Sequence, residues 1–469
     1  MTTETMDIQD DHVMLLPRRE DLVVETRGIS HLYLNPTEGY WMRVNESGKR
    51  ILDLCTGELP VSAIVTRLST DYGFRPEVLS KSVKRFLARA HDRGLIVTRE
   101  EFETPKEDAS AKPVRLVLRL AITNRCNLAC RTCYANAGGD GGRDPDEMTV
   151  DEYTALLEGP LASRARQITI TGGEPTVRPD LLDLLRTIRA RHPETAIVLA
   201  SNGQVQDATL WTEIASLVNF VQISLDGPRA EINDAVRGEG SFDKAYRTLH
   251  ILAQSEAPFV AISFTPTNDN VHSLPGMLVL ARELGVNTVH VTGFCRSQRP
   301  ASHGIDLDFG KLGEAIMASY EALWRMRAFA ANTPEGERKR QLKFEPYMDQ
   351  TAKTFRGVKR MYCGAVSGEI TIAPHGDVYP CGEFIRPDWC GGNVRREPLD
   401  DIYGRMRESM LSKFCVDNVE GCNACKLRHI CGGGCRAAAF FAEGSTLKKD
   451  PHCKYYHEQI DEKMWNLNL

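Results

Sequence analysis

Three cysteines lie close together in one short segment of the chain, Cys126, Cys130 and Cys133, with the spacing Cys-x3-Cys-x2-Cys. Three thiolates can each hold one iron of a [4Fe–4S] cube, which leaves the fourth iron free to bind another molecule. The alternative is a zinc ion with a fourth ligand from elsewhere, although structural zinc usually has paired Cys-x2-Cys knuckles. The spacing therefore favours an iron–sulfur site with one open iron.

A second set of cysteines is concentrated in the C-terminal part of the chain. Of the 14 cysteines, nine lie between Cys363 and Cys453, and only Cys55 and Cys295 stand apart from both groups. A disulfide framework is disfavoured, because the cytosol keeps thiols reduced and it is small secreted domains that need such cross-links. Thiolate ligation of metal explains both groups and predicts two separate metal regions.

The composition excludes several classes of protein. The length of 469 residues favours two or three domains over a single hydrophobic core. Lys and Arg total 58 against 63 Asp and Glu, a net charge of -5, so the basic excess typical of nucleic-acid binding is lacking. No apolar run approaches the ~18 residues needed to cross a bilayer, and residues 1–11 do not resemble a secretory signal. We expect a soluble, cytoplasmic protein that binds neither nucleic acid nor membrane.

Residues 1–98 are expected to form a small winged-helix-like α+β domain. Short strands are predicted at 22–25, 31–34 and 40–44, followed by helices at 49–55, 60–72 and 76–93. In the last helix, the apolar residues fall at helical spacing and form one core-facing stripe. Residues 99–113 are rich in Glu, Lys, Ala and Pro and offer little to bury, which predicts an exposed linker.

Residues 114–307 alternate β-rich runs with amphipathic helices, the pattern of βα units around a parallel sheet. Six strands are expected, at 114–122, 167–171, 196–201, 220–225, 259–265 and 288–292. They predict an α/β fold with a partial, open (β/α)6 barrel, whose active site lies at the carboxyl ends of the strands. Connecting helices at 308–362 then lead into a cysteine-rich domain at 363–469, where metal replaces part of the core.

The cysteine loop after the first barrel strand, together with Gly172-Gly173-Glu174-Pro175 after the second, resembles the radical S-adenosylmethionine (radical SAM) enzymes over roughly residues 114–293. The resemblance implies that Cys126, Cys130 and Cys133 hold a cluster whose open iron chelates SAM. One electron from this cluster then cleaves SAM into methionine and a 5′-deoxyadenosyl radical, which abstracts a hydrogen atom from the substrate.

The same resemblance implies which residues contact SAM. Glycine at 172 and 173 lets main chain approach the methionyl amine, Ser201 and Asn202 suit the ribose, and Arg237 suits the carboxylate as a bidentate fork. Asp226 has the alternative role of capping the next helix. The family usually carries an aromatic residue where this chain has Thr132, so adenine packing falls to Tyr134. The implied cofactor-binding set is Gly172, Gly173, Glu174, Ser201, Asn202, Ser224, Arg237 and Tyr134.

The C-terminal cysteines, in the order Cys363-x12-Gly376-x4-Cys381, Cys422-x2-Cys425-x5-Cys431-x3-Cys435 and Cys453, resemble the SPASM domain of radical SAM maturases, with zinc ribbons as the alternative. The resemblance implies two auxiliary [4Fe–4S] clusters and so three clusters in all. One auxiliary cluster is assigned to Cys422, Cys425, Cys431 and Cys453, and the other to Cys363, Cys381 and Cys435. In relatives, a fourth cysteine often completes this latter cluster and stands at the position of Gly357. In this chain the fourth iron of the cluster is therefore either open or held by Cys390 or Cys415.

The N-terminal domain, from the turn at 35–39 to Phe86-Leu87, resembles the chaperone of pyrroloquinoline quinone biosynthesis, PqqD. Such domains capture a leader peptide by adding it as a strand to a sheet edge, here expected at the strand His31 to Leu34. Basic residues on the third helix also suit a DNA reader, but the acidic chain and its redox chemistry disfavour that role.

These features predict a radical SAM oxidoreductase that cross-links a ribosomally synthesised precursor peptide. A thioether is preferred to a carbon–carbon bond, because an open auxiliary iron can bind a substrate cysteine. The auxiliary clusters accept the electron released during bond formation, and a donor such as flavodoxin or ferredoxin supplies the first electron. The alternatives are a SPASM-type protein, quinone-cofactor or porphyrin maturase without leader recognition, and a non-enzymatic metal-binding regulator.

Overall fold

The computed structural model describes residues 6–16, 22–104, 116–138, 146–255, 258–330, 342–346 and 359–466. The predicted linker from residue 105 onward, part of the predicted connection at 308–362, and Gly357 lie outside the described residues.

The N-terminal domain is an α+β unit with two small antiparallel sheets. One contains the three predicted strands, with β3 between β2 and β4. The other contains β5, β1 and β6, and the sequence patterns did not reveal it, because β1 and β6 have only three and two residues. The strands are β1 (Val13–Leu15), β2 (Val23–Arg27), β3 (Ser30–Asn35), β4 (Tyr40–Asn45), β5 (Thr56–Pro60) and β6 (Val97–Thr98). The helices are α1 (Glu46–Leu54), α2 (Val61–Tyr72), α3 (Pro76–Asp92) and α4 (Arg99–Glu103).

The third helix, α3, was predicted from the amphipathic pattern of its residues. Pro76 starts α3 at a position where the missing N–H costs no helical bond. Its apolar stripe, including Val83 and Leu87, is buried in the core of the domain. The predicted helix is therefore confirmed to within one residue.

The predicted linker at 99–113 is wrong at its start. Arg99–Glu103 forms α4, because the hydroxyl of Thr98 accepts from the Glu101 amide and the Glu101 side chain accepts from the Thr98 amide. Glu101 also contacts His91 of α3 at 2.8 Å. This acidic stretch is therefore part of the N-terminal domain.

In the part of the chain that the structure describes, the centre of the molecule is a ten-stranded sheet in the order β13-β12-β11-β10-β9-β8-β7-β14-β15-β16. The six predicted barrel strands occupy β7 to β12 in sequence order and pair in parallel. They are β7 (Val117–Ala121), β8 (Gln167–Thr171), β9 (Ala196–Ser201), β10 (Phe220–Ser224), β11 (Phe259–Phe264) and β12 (Thr288–Val291). The partial parallel barrel is therefore confirmed.

Amphipathic helices cover the parallel strands. In α6, for example, Leu184, Leu185 and Ile188 are buried against the sheet, while the Arg186 side chain is about half exposed. The helices of this part are α5 (Val150–Leu157), α6 (Leu181–Arg191), α7 (Ala208–Leu217), α8 (Ala230–Arg237), α9 (Ser241–Ala253), α10 (Leu274–Leu284), α11 (Gln298–Ser302) and α12 (Phe309–Ala330). This cover explains the continuous apolar runs of the strands.

The sheet does not end where the sequence patterns placed the domain boundaries. The region predicted as connecting helices contains the long α12, but also β13 (Lys343–Glu345), a seventh parallel strand beside β12. On the opposite side, β14 (Glu369–Ile372) pairs in parallel with β7. The cysteine-rich domain is thus joined to the barrel through a shared sheet.

The cysteine-rich domain has little regular structure of its own. After β14 come β15 (Asp377–Tyr379) and β16 (Gly392–Asn393), which extend the sheet in antiparallel fashion. Gly376 makes the turn between β14 and β15 possible, because its φ is +92°. Four helices follow: α13 (Leu399–Met410), α14 (Arg428–Cys431), α15 (Arg436–Glu443) and α16 (Cys453–Asn466).

The N-terminal sheet packs directly on the cysteine-rich domain. Side chains of β3 and β4 form a separate apolar cluster with the C-terminal helices. The imidazole of His429 lies 2.7 Å from the carbonyl of Pro36, and Arg27 donates to Asp461 at 2.8 Å. The buried members of the cluster are Leu32, Leu34, Trp41, Leu427, Ile430, Ile460, Met464 and Trp465.

The predicted docking strand for a leader peptide is contradicted by the sheet order. The strand at His31 to Leu34 is β3, which lies between β2 and β4 and pairs with both. A central strand has no unpaired edge, so it cannot accept a further strand. Within the described residues, only β2 and β4 are end strands of this sheet.

Among the described helices, none combines the length and the apolar composition needed to cross a bilayer.

Candidate functional site

The loop with Cys126, Cys130 and Cys133 follows β7 at the carboxyl edge of the parallel strands. Backbone hydrogen bonds hold the loop from two sides. The amide of Gly173 donates to Thr123 at 2.7 Å, and the amide of Arg131 donates to Val236 at 3.0 Å. The position of the cysteines is therefore set by neighbouring strand ends.

Gly172 and Gly173 are required by the cysteine loop itself. A Cβ atom on Gly172 would overlap the carbonyl of Thr123, and one on Gly173 would overlap the carbonyl of Arg125. Gly172 also has a φ of +142°, which L side chains rarely adopt. The glycines thus allow two main-chain segments to touch. This is a second reason for glycine here, besides the predicted approach of main chain to the methionyl amine of SAM.

Glu174 is a buried carboxylate that links the loop after β8 to the end of β9. It accepts from the amide of Asn202 at 2.6 Å, from the hydroxyl of Ser201 at 2.8 Å and from the hydroxyl of Thr176 at 2.6 Å. Burial raises the pKa of Glu174, while these donors oppose the shift. Ser201 is placed as a support of Glu174, and its contact with a ribose stays a prediction.

Asn202 connects this network to the first cysteine. Its side-chain amide donates to Asn127 at 2.7 Å and lies 3.7 Å from the Cys126 sulfur. Burial raises the pKa of the Cys126 thiol to about 11. Ser224, another predicted contact, lies at the end of β10 opposite Ser263 of β11.

Arg237 is held beside the second cysteine by a buried ion pair. Its Nε lies 2.7 Å from Asp226 Oδ2, with the two side chains 10% and 0% exposed. Its Nη1 lies 4.0 Å from the sulfur of Cys130. The alternative that Asp226 caps the following helix is wrong, because Arg229 occupies that position and Asp226 accepts from the Thr265 amide.

Tyr134 lies between the barrel and the cysteine-rich domain. Its ring is next to Gly382, and its hydroxyl interacts with Thr171. Arg119 lies nearby and donates to Glu369 of β14 at 3.0 Å. Burial raises the pKa of Tyr134. Its predicted contact with adenine stays a prediction.

Four of the C-terminal cysteines line one pocket. The pocket encloses Cys422, Cys425, Cys431 and Cys453, together with Asp450, Tyr456 and other residues. Burial raises the pKa of the Cys431 thiol to about 12. A set of four thiols around an apolar space fits the donor chemistry of a [4Fe–4S] cluster.

The remaining predicted ligands form a group closer to the barrel. Cys363, Cys381 and Cys435 are neighbours, and burial raises the pKa of Cys435 to about 12. Among the described residues, no three Cys, His, Asp or Glu side chains converge on a single ion. A four-iron cube binds each thiolate at a different iron, so its ligands surround a space instead of a point.

Several residues near these sites were not singled out by the sequence. Arg299 donates to the carbonyls of Cys130 at 3.3 Å and Ala137 at 2.6 Å, so it clamps the cysteine loop. Cys295 and Glu383 lie beside the group of Cys381 and Cys435. Burial raises the pKa of Glu383 to about 7. Of these residues, only Cys295 could have been noticed in the sequence, because it follows a barrel strand closely.

Three family models match the chain. The model of the radical SAM superfamily matches residues 120–291, and that of the SPASM iron–sulfur cluster-binding domain matches residues 363–426. The model of coenzyme PQQ synthesis protein D (PqqD) matches residues 30–96. With the parallel barrel and its cysteine loop, these matches define a radical SAM enzyme, a class that uses an iron–sulfur cluster and SAM.

Curated relatives narrow this class. The mycofactocin maturase MftC of Mycobacterium tuberculosis is 30% identical over 354 residues, covering 73% of this chain and 84% of the relative. The AdoMet-dependent heme synthase of Oleidesulfovibrio alaskensis is 30% identical over 362 residues, covering 75% and 90%. The chain therefore belongs to the radical SAM superfamily and is a SPASM-type maturase with a PqqD domain.

A solved structure shares the whole architecture. SuiB of Streptococcus suis bound to S-adenosylmethionine matches with a TM-score of 0.55 and 16% identity, covering 93% of this chain and 99% of SuiB. At this identity the likeness concerns the fold alone. It extends over the N-terminal domain, the barrel and the cysteine-rich domain.

Proposed function

We propose that this maturase installs a cross-link, either a thioether or a carbon–carbon bond, in a ribosomally made precursor peptide. The observation that carries the proposal is the packing of the PqqD domain on the cysteine-rich domain through Leu34, Trp41 and Trp465. A leader bound to a fixed domain holds the rest of the peptide at a constant distance from the barrel, which raises its effective concentration there. SuiB, whose fold is similar, has been solved with its precursor peptide SuiA.

The barrel site has side chains suited to a SAM-binding cluster. We assign Cys126, Cys130 and Cys133 as its ligands, and SAM bound there supplies the 5′-deoxyadenosyl radical. Asp226 orients the Arg237 guanidinium beside Cys130, where it can pair with a carboxylate. An external donor such as flavodoxin or ferredoxin provides the reducing electron.

The cysteine-rich domain is assigned two auxiliary clusters, which makes three in the whole chain. Cys422, Cys425, Cys431 and Cys453 hold one, and Cys363, Cys381 and Cys435 hold the other. The choice between the two bond types depends on the second of these clusters. An iron without a protein ligand would bind a substrate thiolate and favour the thioether, whereas a closed cluster would only carry electrons.

The outer edge of β2 is the proposed docking site for the leader. Four of its five residues alternate between half-buried and exposed positions, and Val24 is 47% exposed. Arg27 and Ser30 flank a two-residue turn, so they form a hydrogen-bonded pair. From this pair onward, opposite residues of β2 and β3 alternate between non-hydrogen-bonded and hydrogen-bonded pairs. By this alternation, the amide of Val24 points away from β3 and can pair with a leader strand.

Val24→Pro tests this assignment, because proline removes the outward amide without removing a bond to β3. We expect the affinity for a labelled synthetic precursor peptide to fall about tenfold. Val24→Thr keeps the amide and should bind like the unmodified protein. Peptide-independent formation of 5′-deoxyadenosine should be unchanged in both variants.

Equal affinity of the two variants for the precursor would contradict edge binding at β2. Deleting residues 1–98 is a poorer test, because it would also expose Leu427 and Ile430 on the cysteine-rich domain. The heme synthase relatives support a second candidate function, modification of a porphyrin. Turnover of a porphyrin without any peptide would favour that function.

A further inference from the structure

The group of Cys363, Cys381 and Cys435 has three thiols where a closed [4Fe–4S] cluster needs four ligands. Neither of the two cysteines of this domain that are still unassigned supplies the fourth ligand. The Cys390 thiol donates to the carbonyl of Gly392 at 3.4 Å. Cys415 lies opposite Tyr362 in an antiparallel bridge, so these two side chains point to the same face. Cys363 follows Tyr362 in the chain, and its side chain therefore points to the other face, away from Cys415.

Cys295 approaches the same group from the barrel. It follows β12 and is 8% exposed. Its thiol hydrogen-bonds to the side chain of Glu383, which follows Cys381 by two residues, and it lies within electrostatic range of Cys435 and Cys381. In the core of the molecule, Cys295 belongs to the apolar cluster against which the three cysteines pack.

The side chains around this group leave a polar atom without a partner. Glu383 Oε2 is buried and, within the described residues, accepts no hydrogen bond. Such a buried oxygen is costly unless it faces a donor or a metal centre. The space between Glu383, Cys295 and the three cysteines therefore has the features of a ligand site.

We infer that Cys295 is the fourth protein ligand of the auxiliary cluster held by Cys363, Cys381 and Cys435. This inference deepens the proposed function and rests on its assignment of two auxiliary clusters. The thiol loses its proton on binding, and the new bond is between its sulfur and the fourth iron. The cluster then joins the end of β12 to the cysteine-rich domain and offers no iron to a substrate thiolate.

A closed cluster changes what the enzyme needs from its peptide. Without an open iron, no cysteine is required at the modified site, and the cluster serves to take up the electron released when the peptide radical forms a bond. Of the two cross-links proposed above, the carbon–carbon bond then becomes the favoured one.

The test uses the full chain with Cys126, Cys130 and Cys133 changed to Ala, so that only the auxiliary clusters contribute to the signal. Two four-iron clusters should give this parent about eight irons after anaerobic reconstitution. The readouts are the iron content and the electron paramagnetic resonance spectrum of the reduced protein, with and without added 2-mercaptoethanol. Neither readout depends on peptide turnover.

In this parent, Cys295→Ser should change the spectrum and make it sensitive to the added thiol, or lose about four irons. Cys295→Asp, whose carboxylate can bind iron, should retain all the irons and show a third, distinct spectrum. Cys390→Ser and Cys415→Ser are matched controls and should behave like the parent.

Two results would overturn the assignment of Cys295. One is a parent-like spectrum in Cys295→Ser, above all if the parent itself responds to the thiol. The other is equal loss of iron from the Ser and Asp variants, which would indicate a packing role. A change on Glu383→Gln that is absent from Cys295→Ser would assign the ligand to the carboxylate instead. An iron content near four in the parent would contradict the two auxiliary clusters themselves.

Discussion

The cysteine loop of the barrel and the four-cysteine pocket of the C-terminal domain are held in place in different ways. The loop is fixed by groups that are not cysteines, among them the Gly173 amide and the Arg299 side chain. Beside the pocket, Val416, Val419 and Cys422 form a small separate apolar cluster, and the pocket residues Leu427 and Ile460 belong to the cluster shared with the N-terminal domain. We therefore expect the barrel to form its site before a cluster is present, and the C-terminal domain to need its proposed cluster in order to fold.

The backbone of the C-terminal domain supports this distinction. Three successive glycines, Gly432, Gly433 and Gly434, have φ values of +72°, +82° and +75°. Such a run has a high conformational entropy in the unfolded chain, which must be offset on folding. In the proposed assignment, iron–sulfur bonds at Cys431 and Cys435 would flank this run and offset that cost.

The largest expected effect tests the barrel. Replacing Cys126, Cys130 and Cys133 with Ala should abolish formation of 5′-deoxyadenosine from SAM and remove about a third of ~12 irons per chain. The thermal unfolding midpoint of the protein should change little, because other groups hold the loop. Retained SAM cleavage in the triple variant would contradict the site, and a large loss of stability would contradict the preformed scaffold.

The next effect tests the other side of the comparison. Cys422→Ala with Cys453→Ala should also remove about four irons, but here we expect the residues from 416 to 466 to lose protection in hydrogen exchange. The triple barrel variant is the control, since it loses as much iron from a different place. Unchanged protection in the C-terminal domain would show that its fold does not depend on the cluster.

A smaller effect is expected from the buried ion pair beside Cys130. Asp226→Asn leaves the Arg237 guanidinium buried without a counter-charge, which typically costs about 3–5 kcal/mol of unfolding free energy. Denaturant unfolding measures this cost, and the Michaelis constant for SAM should rise as well. Glu231→Gln is the matched control, because its pair with Arg229 is exposed. Similar losses in both variants would refute a special role of the buried pair.

The sequence predicted local features of the molecule well. The spacing of the cysteines and the strands at Gln167–Thr171 and Ala196–Ser201 follow from short-range patterns, and the structure has both strands with the same bounds. What the sequence could not predict are contacts between distant segments. The strand Lys343–Glu345 is too short to show an alternating pattern, and its place is set by pairing with β12.

The same limit explains the errors at the candidate sites. The docking strand was misplaced because a strand's own residues do not reveal whether it lies at the centre or the edge of a sheet. Cys295 was set aside because Cys381 and Cys435, whose charges act on it, are far away in sequence, and only the folded chain places them in one region. Asp226 resembled a helix cap because it precedes α8, whereas its partner Arg237 lies at the other end of that helix.

The smallest effect concerns the joint between the two regions. Arg395, just after β16, donates to Glu152 of α5 at 2.6 Å, and this bond lowers the pKa of Glu152 to about 2 from an ordinary value of 4.5. A carboxylate whose pKa is lowered by folding stabilises the folded state at every pH above its pKa in the unfolded chain. This contribution is lost as the pH falls from about 4.5 towards 2. Both side chains are roughly a third exposed, so solvent screening limits the pair to about 0.5 kcal/mol.

A double-mutant cycle with Glu152→Gln and Arg395→Gln isolates this contribution. Glutamine at 152 still accepts from the Thr149 amide, so the start of α5 is kept and only the charge is removed. We expect a coupling of about 0.5 kcal/mol in denaturant unfolding at pH 7, reduced at 1 M salt and on acidification below pH 4.5. A coupling several times larger would mean that charge, and not the pairing of β7 with β14, fastens the barrel to the cysteine-rich domain. The two regions would then separate in acid, whereas a shared sheet keeps them together until the barrel itself unfolds.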